Sequence, residues 1–368
     1  MSFRAEGVVC FTRNSVPEPK GHPMKAVVIH APRDLRVEER DAPEPGPGEV
    51  AVAIRAGGIC GSDLHYYAHG GFGTVRVVDP MVLGHEAAGE IAALGPGVEG
   101  LAVGDRVAVN PSLPCGSCEY CLRGETVHCL DMRFLGSAMR RPHVDGAFRE
   151  IMVTEAARCV TVPDTVSFAE AAFAEPLAVV LAALGKAGPL IGKRVHVAGC
   201  GPIGALAVLA ARGAGAGQIV VTDLADAPLA TGRTVGADRA VNVAADPDAM
   251  APYAERKGYF DVVFEATGSE AAFRAALQVA RPGGTIVQLG LGGDIAVPQT
   301  VVVAKELTVR GTFRFHREFA VAARMIAEGK LDVTPLLTET LPVNRAEEAF
   351  ALAGDRSRAM KVHLAFGG

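Results

Sequence analysis

The stretch Lys193–Asp223, KRVHVAGCGPIGALAVLAARGAGAGQIVVTD, decides the fold. It reads as strand, glycine turn, apolar helix and second strand. Gly199, Gly201 and Gly204 form G-C-G-P-I-G, directly after the strand-like RVHVAG and at the opening of the helix-like ALAVLAA. Glycines there allow a tight turn, close approach of backbone to a pyrophosphate and packing of helix on strand, while the helix N-terminus draws the phosphates. Pro202 and Ile203 complete the expected cofactor-binding turn. Six residues alone are a weak signal. The context makes it specific, because Asp223 ends the second strand 19 residues past Gly204, where an acid can bind the adenine ribose hydroxyls. The competing reading is a glycine turn with no ligand and a surface aspartate. Leu224, Ala225, Asp226, Ala227 and Pro228 offer no arginine to a 2′-phosphate, which favours NAD over NADP unless Arg233 or Arg239 folds back.

Working outward, FDVVFEATG, GGTIVQLG and LTVRGTF are further candidate strands, with helical segments such as EAAFRAALQVAR between them. Alternating β and α units imply an α/β fold, a doubly wound parallel sheet with helices on both faces, assigned here to residues 178–315. Upstream the texture differs. MKAVVIH, EVAVAIRAGG, AAGEIAALG, RVAVN and REIMVT are short strand-like runs broken by clusters such as APEPGPGE, suggesting a small β-barrel-like domain with long loops. PDTVSFAEAAFAEPLAVVLAALGKAG then reads as helical. From His316 the tail returns to helix and strand, and its last strand could rejoin the first domain, which is accordingly drawn as 24–177 and 316–368. Residues 1–23 read as an appendage, either an upstream mis-assigned start or an ordered extra strand.

Length and composition agree with two domains. The 368 residues exceed one ordinary core, and 49% hydrophobic against 21% charged residues describes a globular chain with a sizeable interior. A net charge of -5 with no basic tract argues against a nucleic-acid partner. No apolar run approaches the roughly 18 residues that would span a bilayer, and the N-terminus lacks the apolar segment of a signal peptide. No membrane association is expected, and the cytoplasm is the expected compartment.

Eight cysteines occur, at 10, 60, 115, 118, 121, 129, 159 and 200. Cys115, Cys118, Cys121 and Cys129 lie within fifteen residues, with spacing C-x2-C-x2-C-x7-C. Closely spaced thiolates on a turning loop can converge on a tetrahedral ion, and zinc held by four cysteines with no open position is structural. An iron–sulfur cluster is the rival for four thiolates. Disulfides fit poorly in a chain without an export signal.

A second metal would have to be held elsewhere. Cys60 in GGICGSDLHYY could combine with His85 and Glu86 in PMVLGHEAAGE and with Glu175 in FAEPLAV. A catalytic zinc wants about three protein ligands and one position left open, a count met by Cys60, His85 and one carboxylate. Each piece has a bland alternative. Cys60 alone reads as a buried hydrophobe, His85 as a core histidine, Glu86 as its solvated neighbour and Glu175 as a helix-surface acid.

Together, C-G-S-D-x-H, G-H-E, the four-cysteine loop, E-P-L and G-x-G-P-I-G resemble, in order, the zinc-dependent medium-chain dehydrogenases of the alcohol and polyol type, over residues 24–368. The resemblance implies a Rossmann domain, a GroES-like catalytic domain, NAD and two zinc ions per chain, one catalytic and one structural. By it, Cys60, His85 and Glu86 would hold the catalytic zinc, with Glu175 either a fourth ligand or a carboxylate bonded to the zinc water. The polyol branch is indicated because Glu175 stands where alcohol dehydrogenases carry a further zinc cysteine. DMRFLGSAM followed by PHVDG sets the chain apart from sorbitol and xylitol dehydrogenases, although Arg140 and Arg141 depart from the relatives' pattern.

The implied reaction is NAD-linked oxidation of a secondary alcohol in a polyol or sugar acid. Ser62 is placed to accept the alcohol proton and His65 to pass it toward solvent. Ser62 as a mere turn or cap residue is the bland alternative. For a sugar acid, a planar guanidinium suits the carboxylate, and Arg133 and Arg314 are the candidates, with Arg140 and Arg141 in reserve. A homo-oligomer, dimer or tetramer, is expected because such dehydrogenases commonly assemble that way. The remaining alternatives are a sorbitol or xylitol dehydrogenase and, remotely, a non-catalytic binding protein on the same fold.

Overall fold

The computed structural model describes residues 23–367, so the expected N-terminal appendage lies outside the described residues apart from Pro23. Around the glycine turn stands a six-stranded, all-parallel sheet. In spatial order its strands are Arg239–Asn242, Gln218–Asp223, Arg194–Ala198, Phe260–Glu265, Ala280–Gln288 and Thr308–Gly311. This is the doubly wound order 3-2-1-4-5-6, with its switch point beside Arg194–Ala198. Gln218–Asp223 is buried along nearly its whole length, as an apolar run covered by helices on both faces must be.

The other large sheet has seven strands and is built around Glu49–Gly58. That strand pairs antiparallel with Glu86–Leu94, Ile151–Glu155 and Lys361–Ala365, while Arg106–Val109, Cys159–Thr161 and Leu337–Pro342 extend the sheet. The C-terminal strand therefore returns to the first part of the chain, with His363 opposite Gly58.

Two features of the connection differ from the sequence reading. The helical segment after Pro163 is two helices, Phe168–Ala172 and Ala174–Ala187. Ser167 caps the first by accepting the N–H of Glu170. Pro176 forces the break, since it lacks the N–H that would bond the carbonyl of Ala172 and continue the first helix. The second helix runs straight through residue 177, so the boundary drawn there falls inside one helix. Likewise, helix Glu318–Ala327 packs Phe319, Ala322 and Ala323 into the same core as Val195, Val197 and Leu206, on the nucleotide-sheet side of the drawn boundary at 316.

Candidate active site

The glycine turn joins strand Arg194–Ala198 to helix Pro202–Gly213. Gly199 has φ +90°, a left-handed conformation suited to glycine, and a Cβ on Gly204 would collide with the carbonyl oxygen of Gly199. Helix Pro202–Gly213 starts with proline at its first position, and its N-terminus opens at the carboxyl end of the sheet. Asp223 is buried at the end of the neighbouring strand and accepts the N–H of Cys200 at 2.7 Å.

The four-cysteine loop brings its sulfurs within 4.8 Å of one another. Cys115 and Cys121 Sγ are 4.0 Å apart, against about 3.8 Å for the edge of a tetrahedron with 2.3 Å metal–sulfur bonds. That spacing suits a single ion and leaves no room for a multi-iron cluster. Backbone N–H groups of Cys118, Leu130 and Asp131 point at the sulfurs of Cys115, Cys118 and Cys129. Hydrogen bonds from the Ser117 and Cys118 backbone hold the Cys115 thiol down to about 6, so this ligand is ready as a thiolate at neutral pH.

The open site is assembled by strand register. Gly58 lies opposite Glu86 on one side and His363 on the other, so Cys60, Glu86 and Lys361 arrive from three adjacent strand ends. A Cβ at Gly58 would collide with Glu86 Oε2 and come within 3.1 Å of His363 and Lys361, which makes glycine necessary there. Cys60 sits at the N-cap of helix Gly61–His69, where its N–H bonds Asp63 Oδ2 at 3.0 Å. The other oxygen of Asp63 accepts the N–H of Gly84 at 3.2 Å. Buried Asp63 thereby ties Cys60 to the segment carrying His85. Sγ of Cys60, a ring nitrogen of His85 and a carboxylate oxygen of Glu86 lie within 4.8 Å of one another.

Sequence reasoning missed Lys361. Its buried ammonium bonds the carbonyl of Ile59 at 2.9 Å and Oε1 of Glu86 at 2.6 Å. The only sequence signal for it is a lysine at the start of the C-terminal strand KVHLA, two residues before His363. Glu175 opens helix Ala174–Ala187, and burial pushes its carboxyl up to about 8 against the pull of His85. Burial and the charge of Glu86 push the Cys60 thiol up to about 11.

These shifts test whether a dication fits. Without one, Cys60, Glu86 and Glu175 crowd around the ammonium of Lys361, and burial favours the protonated forms of Cys60 and Glu175. A dication would replace those protons and stabilise the ionised groups, and a ring nitrogen of His85, whose buried Nδ1 has no hydrogen-bond partner, would complete the ligand set. The residues therefore fit a zinc ion.

These groups line a cleft of about 230 Å3 together with Ile203 of the glycine turn and with Leu289, Leu291 and Phe313, which follow strand ends of the nucleotide sheet. Ser62 lines it as well, while His65, one turn further along the helix, is exposed. Arg314 is in the cleft. Its guanidinium lies 3.9 Å over the Phe134 ring, bonds Met139 Sδ at 3.2 Å and enters no salt bridge among the described residues. Its φ of +53° is a strained conformation for a non-glycine residue, of a kind that clusters at functional sites. Arg133 is exposed and absent from the cleft lining, because the strand alternation that turns its neighbour Phe134 inward turns Arg133 outward. Arg140 is engaged with the carbonyls of Leu130 and Met132 and with Asp131, and Arg141 pairs with Asp79.

A parallel nucleotide sheet facing a cysteine–histidine–glutamate cluster across a cleft defines a metal-dependent dehydrogenase, and the chain belongs to the zinc-binding dehydrogenase family. Residues 46–164 match the family model of the alcohol dehydrogenase GroES-like domain, and residues 202–328 match that of the zinc-binding dehydrogenase. It is 44% identical to L-idonate 5-dehydrogenase (NAD(P)(+)) of Escherichia coli (strain K12), over 86% of this chain and 91% of that one. It is 38% identical to sorbitol dehydrogenase of Gallus gallus, over 92% and 95%. The crystal structure of L-idonate 5-dehydrogenase from Escherichia coli K-12 superposes with a TM-score of 0.90, at 42% identity, covering 94% of this chain and 99% of that one. The chain is thus an oxidoreductase of the alcohol and polyol dehydrogenase type, as its motifs suggested.

Proposed function

We propose that the protein oxidises the C5 secondary alcohol of L-idonate to the 5-ketone, 5-keto-D-gluconate, with NAD as acceptor. The observation that carries the sugar-acid reading is Arg314, a half-buried guanidinium that enters no salt bridge among the described residues, in the same cleft as Cys60, His85 and Glu86. The 44% identity to L-idonate 5-dehydrogenase supports the same reading. Sorbitol or xylitol oxidation is the alternative, supported by the sorbitol dehydrogenase relatives.

In this reading Cys60, His85 and Glu86 hold one zinc, and Cys115, Cys118, Cys121 and Cys129 hold a second, structural one. Bound zinc supplies a Lewis acid that acidifies a secondary alcohol, and bound NAD supplies the hydride acceptor. Ser62 takes the alcohol proton inside the cleft, and exposed His65 passes it to water. Glu175 faces the same point as a carboxylate whose ionisation follows the charge of the metal. Lys361 and Asp63 orient Glu86 and Cys60. Gly199, Gly201, Pro202, Ile203 and Gly204 receive the pyrophosphate and Asp223 the ribose. Buried Phe134 walls off one side of the cleft from water, which strengthens the electrostatic contacts beside it. A dimer or tetramer located in the cytoplasm belongs to the same proposal, supported by the habit of such dehydrogenases.

Kinetics of Arg314→Met test the substrate assignment. Loss of a charge-assisted contact of about 1.5–3 kcal/mol lowers kcat/KM for L-idonate by about 10- to 150-fold, with little change for sorbitol. An unchanged ratio of the two substrates would remove Arg314 from the proposal.

A further inference from the structure

The carboxylate that should receive the adenosine ribose is already saturated. Asp223 Oδ1 accepts the N–H groups of Leu224 at 2.7 Å and Ala225 at 3.2 Å. Its Oδ2 accepts the N–H of Cys200 at 2.7 Å and Nη2 of Arg356 at 2.9 Å. A carboxylate offers about four lone-pair sites, so ribose hydroxyls can donate to Asp223 only if a present donor leaves. Three of the four are backbone groups fixed by the strand end and the glycine turn. Arg356 is the exchangeable one, a side chain 61% exposed against 3% for Asp223.

Arg356 lies on the turn leading into strand Lys361–Ala365 of the seven-stranded sheet and reaches across to the nucleotide sheet. Its Nη2 is 3.8 Å from the place a Cβ on Gly201 would occupy, so it overlies the turn that meets the phosphates. Arg358 joins it in lining a pocket of about 100 Å3 against Ala227, Pro228 and Thr231, at the start of helix Asp226–Thr234. Arg233 and Arg239, the two arginines that could have folded back from the nucleotide domain, are turned elsewhere. Arg233 bonds the carbonyl of Ala240 and Arg239 the hydroxyl of Tyr253.

We propose that Arg356 selects the coenzyme: ribose displaces it from Asp223, and with Arg358 it then forms a subsite for a 2′-phosphate, so that the site accepts NADP as well as NAD. The inference rests on the dinucleotide reading of the glycine turn. A buried carboxylate alone would repel a 2′-phosphate. A guanidinium released beside it supplies the compensating charge and a planar fork that matches phosphate. Because NAD has no use for the displaced arginine, Arg356 is a competitor for that coenzyme and a ligand for the other.

The test is calorimetric titration of the full chain with adenosine 5′-monophosphate and adenosine 2′,5′-bisphosphate, probes that need neither substrate nor turnover. Wild type should bind both. Arg356→Ala should bind the bisphosphate about tenfold more weakly or worse, and the monophosphate equally or more tightly, because Asp223 is then free. Arg356→Lys should recover part of the bisphosphate affinity through its charge. Equal weakening of both probes would mark a merely structural arginine and overturn the proposal, as would an unchanged bisphosphate affinity. Wild type that binds only the monophosphate would overturn it while leaving the nucleotide site intact. Binding of neither probe would remove the dinucleotide reading itself.

Discussion

Lys361→Met removes the ammonium that faces Glu86 and leaves a carboxylate uncompensated in the interior. The two side chains are only 3% and 1% exposed, so solvent cannot take over the role. Breaking such a pair from one side costs about 3–5 kcal/mol, far more than a surface ion pair would. At about 2–4 °C per kcal/mol for a domain of this size, the metal-free variant should melt about 6–20 °C below wild type in scanning calorimetry. Glu86→Gln in the same chain removes the orphaned charge and should restore most of that loss. A remainder of about 1–3 kcal/mol persists, because the carbonyl of Ile59 has also lost its donor. Zinc should narrow the gap between Lys361→Met and wild type, since a dication compensates Glu86 from the other side. A metal-free Lys361→Met protein melting within about 2 °C of wild type would show that the ammonium does not compensate Glu86. So would a double variant as unstable as the sum of the two single ones, since that leaves no coupling between the residues.

Gly58→Ala places a methyl on Glu86 and should empty the open site alone; metal analysis should fall from about two to about one zinc per chain while the four-cysteine loop stays loaded. Zinc uptake at the open site should release protons. Glu175, pushed up to about 8, carries one at pH 7, so Glu175→Gln should release about one proton fewer than wild type at that pH. At pH 9 the wild-type carboxyl is already ionised before metal arrives, and the difference should vanish; titration calorimetry in buffers of different ionisation enthalpy reads the proton count. A difference independent of pH would show that Glu175 holds no such proton.

The features legible in the sequence are those written locally. The glycine turn, Asp223 at the following strand end and the four-cysteine spacing each occupy one short segment, where residue type and spacing carry the geometry. By residue type and spacing Cys60, His85 and Glu86 were separate pieces that only the family resemblance joined, and the pairing of Gly58 with Glu86 is what brings them together in space. Lys361 and Arg356 depend on a strand about 300 residues downstream rejoining the first sheet in one register, which no local pattern encodes. Asp63, to which the sequence reading gave no role, links Cys60 to the backbone before His85. Arg133 and Arg314 were equivalent candidates by residue type. One residue of strand alternation separates Arg133 from the cleft, while Arg314 is held over Phe134 at its edge.

The proposed function is oxidation of a sugar acid with NAD at a zinc-bound cleft that carries the guanidinium of Arg314. Initial rates of NADH formation on L-idonate, sorbitol and xylitol, with and without removal of zinc by a chelator, test it directly. Turnover should show its largest kcat/KM on L-idonate, be lost with the open-site zinc and return when zinc is restored. Zinc-loaded protein that forms no NADH from any of the three, or forms it equally well after the open-site zinc has been stripped, would contradict it.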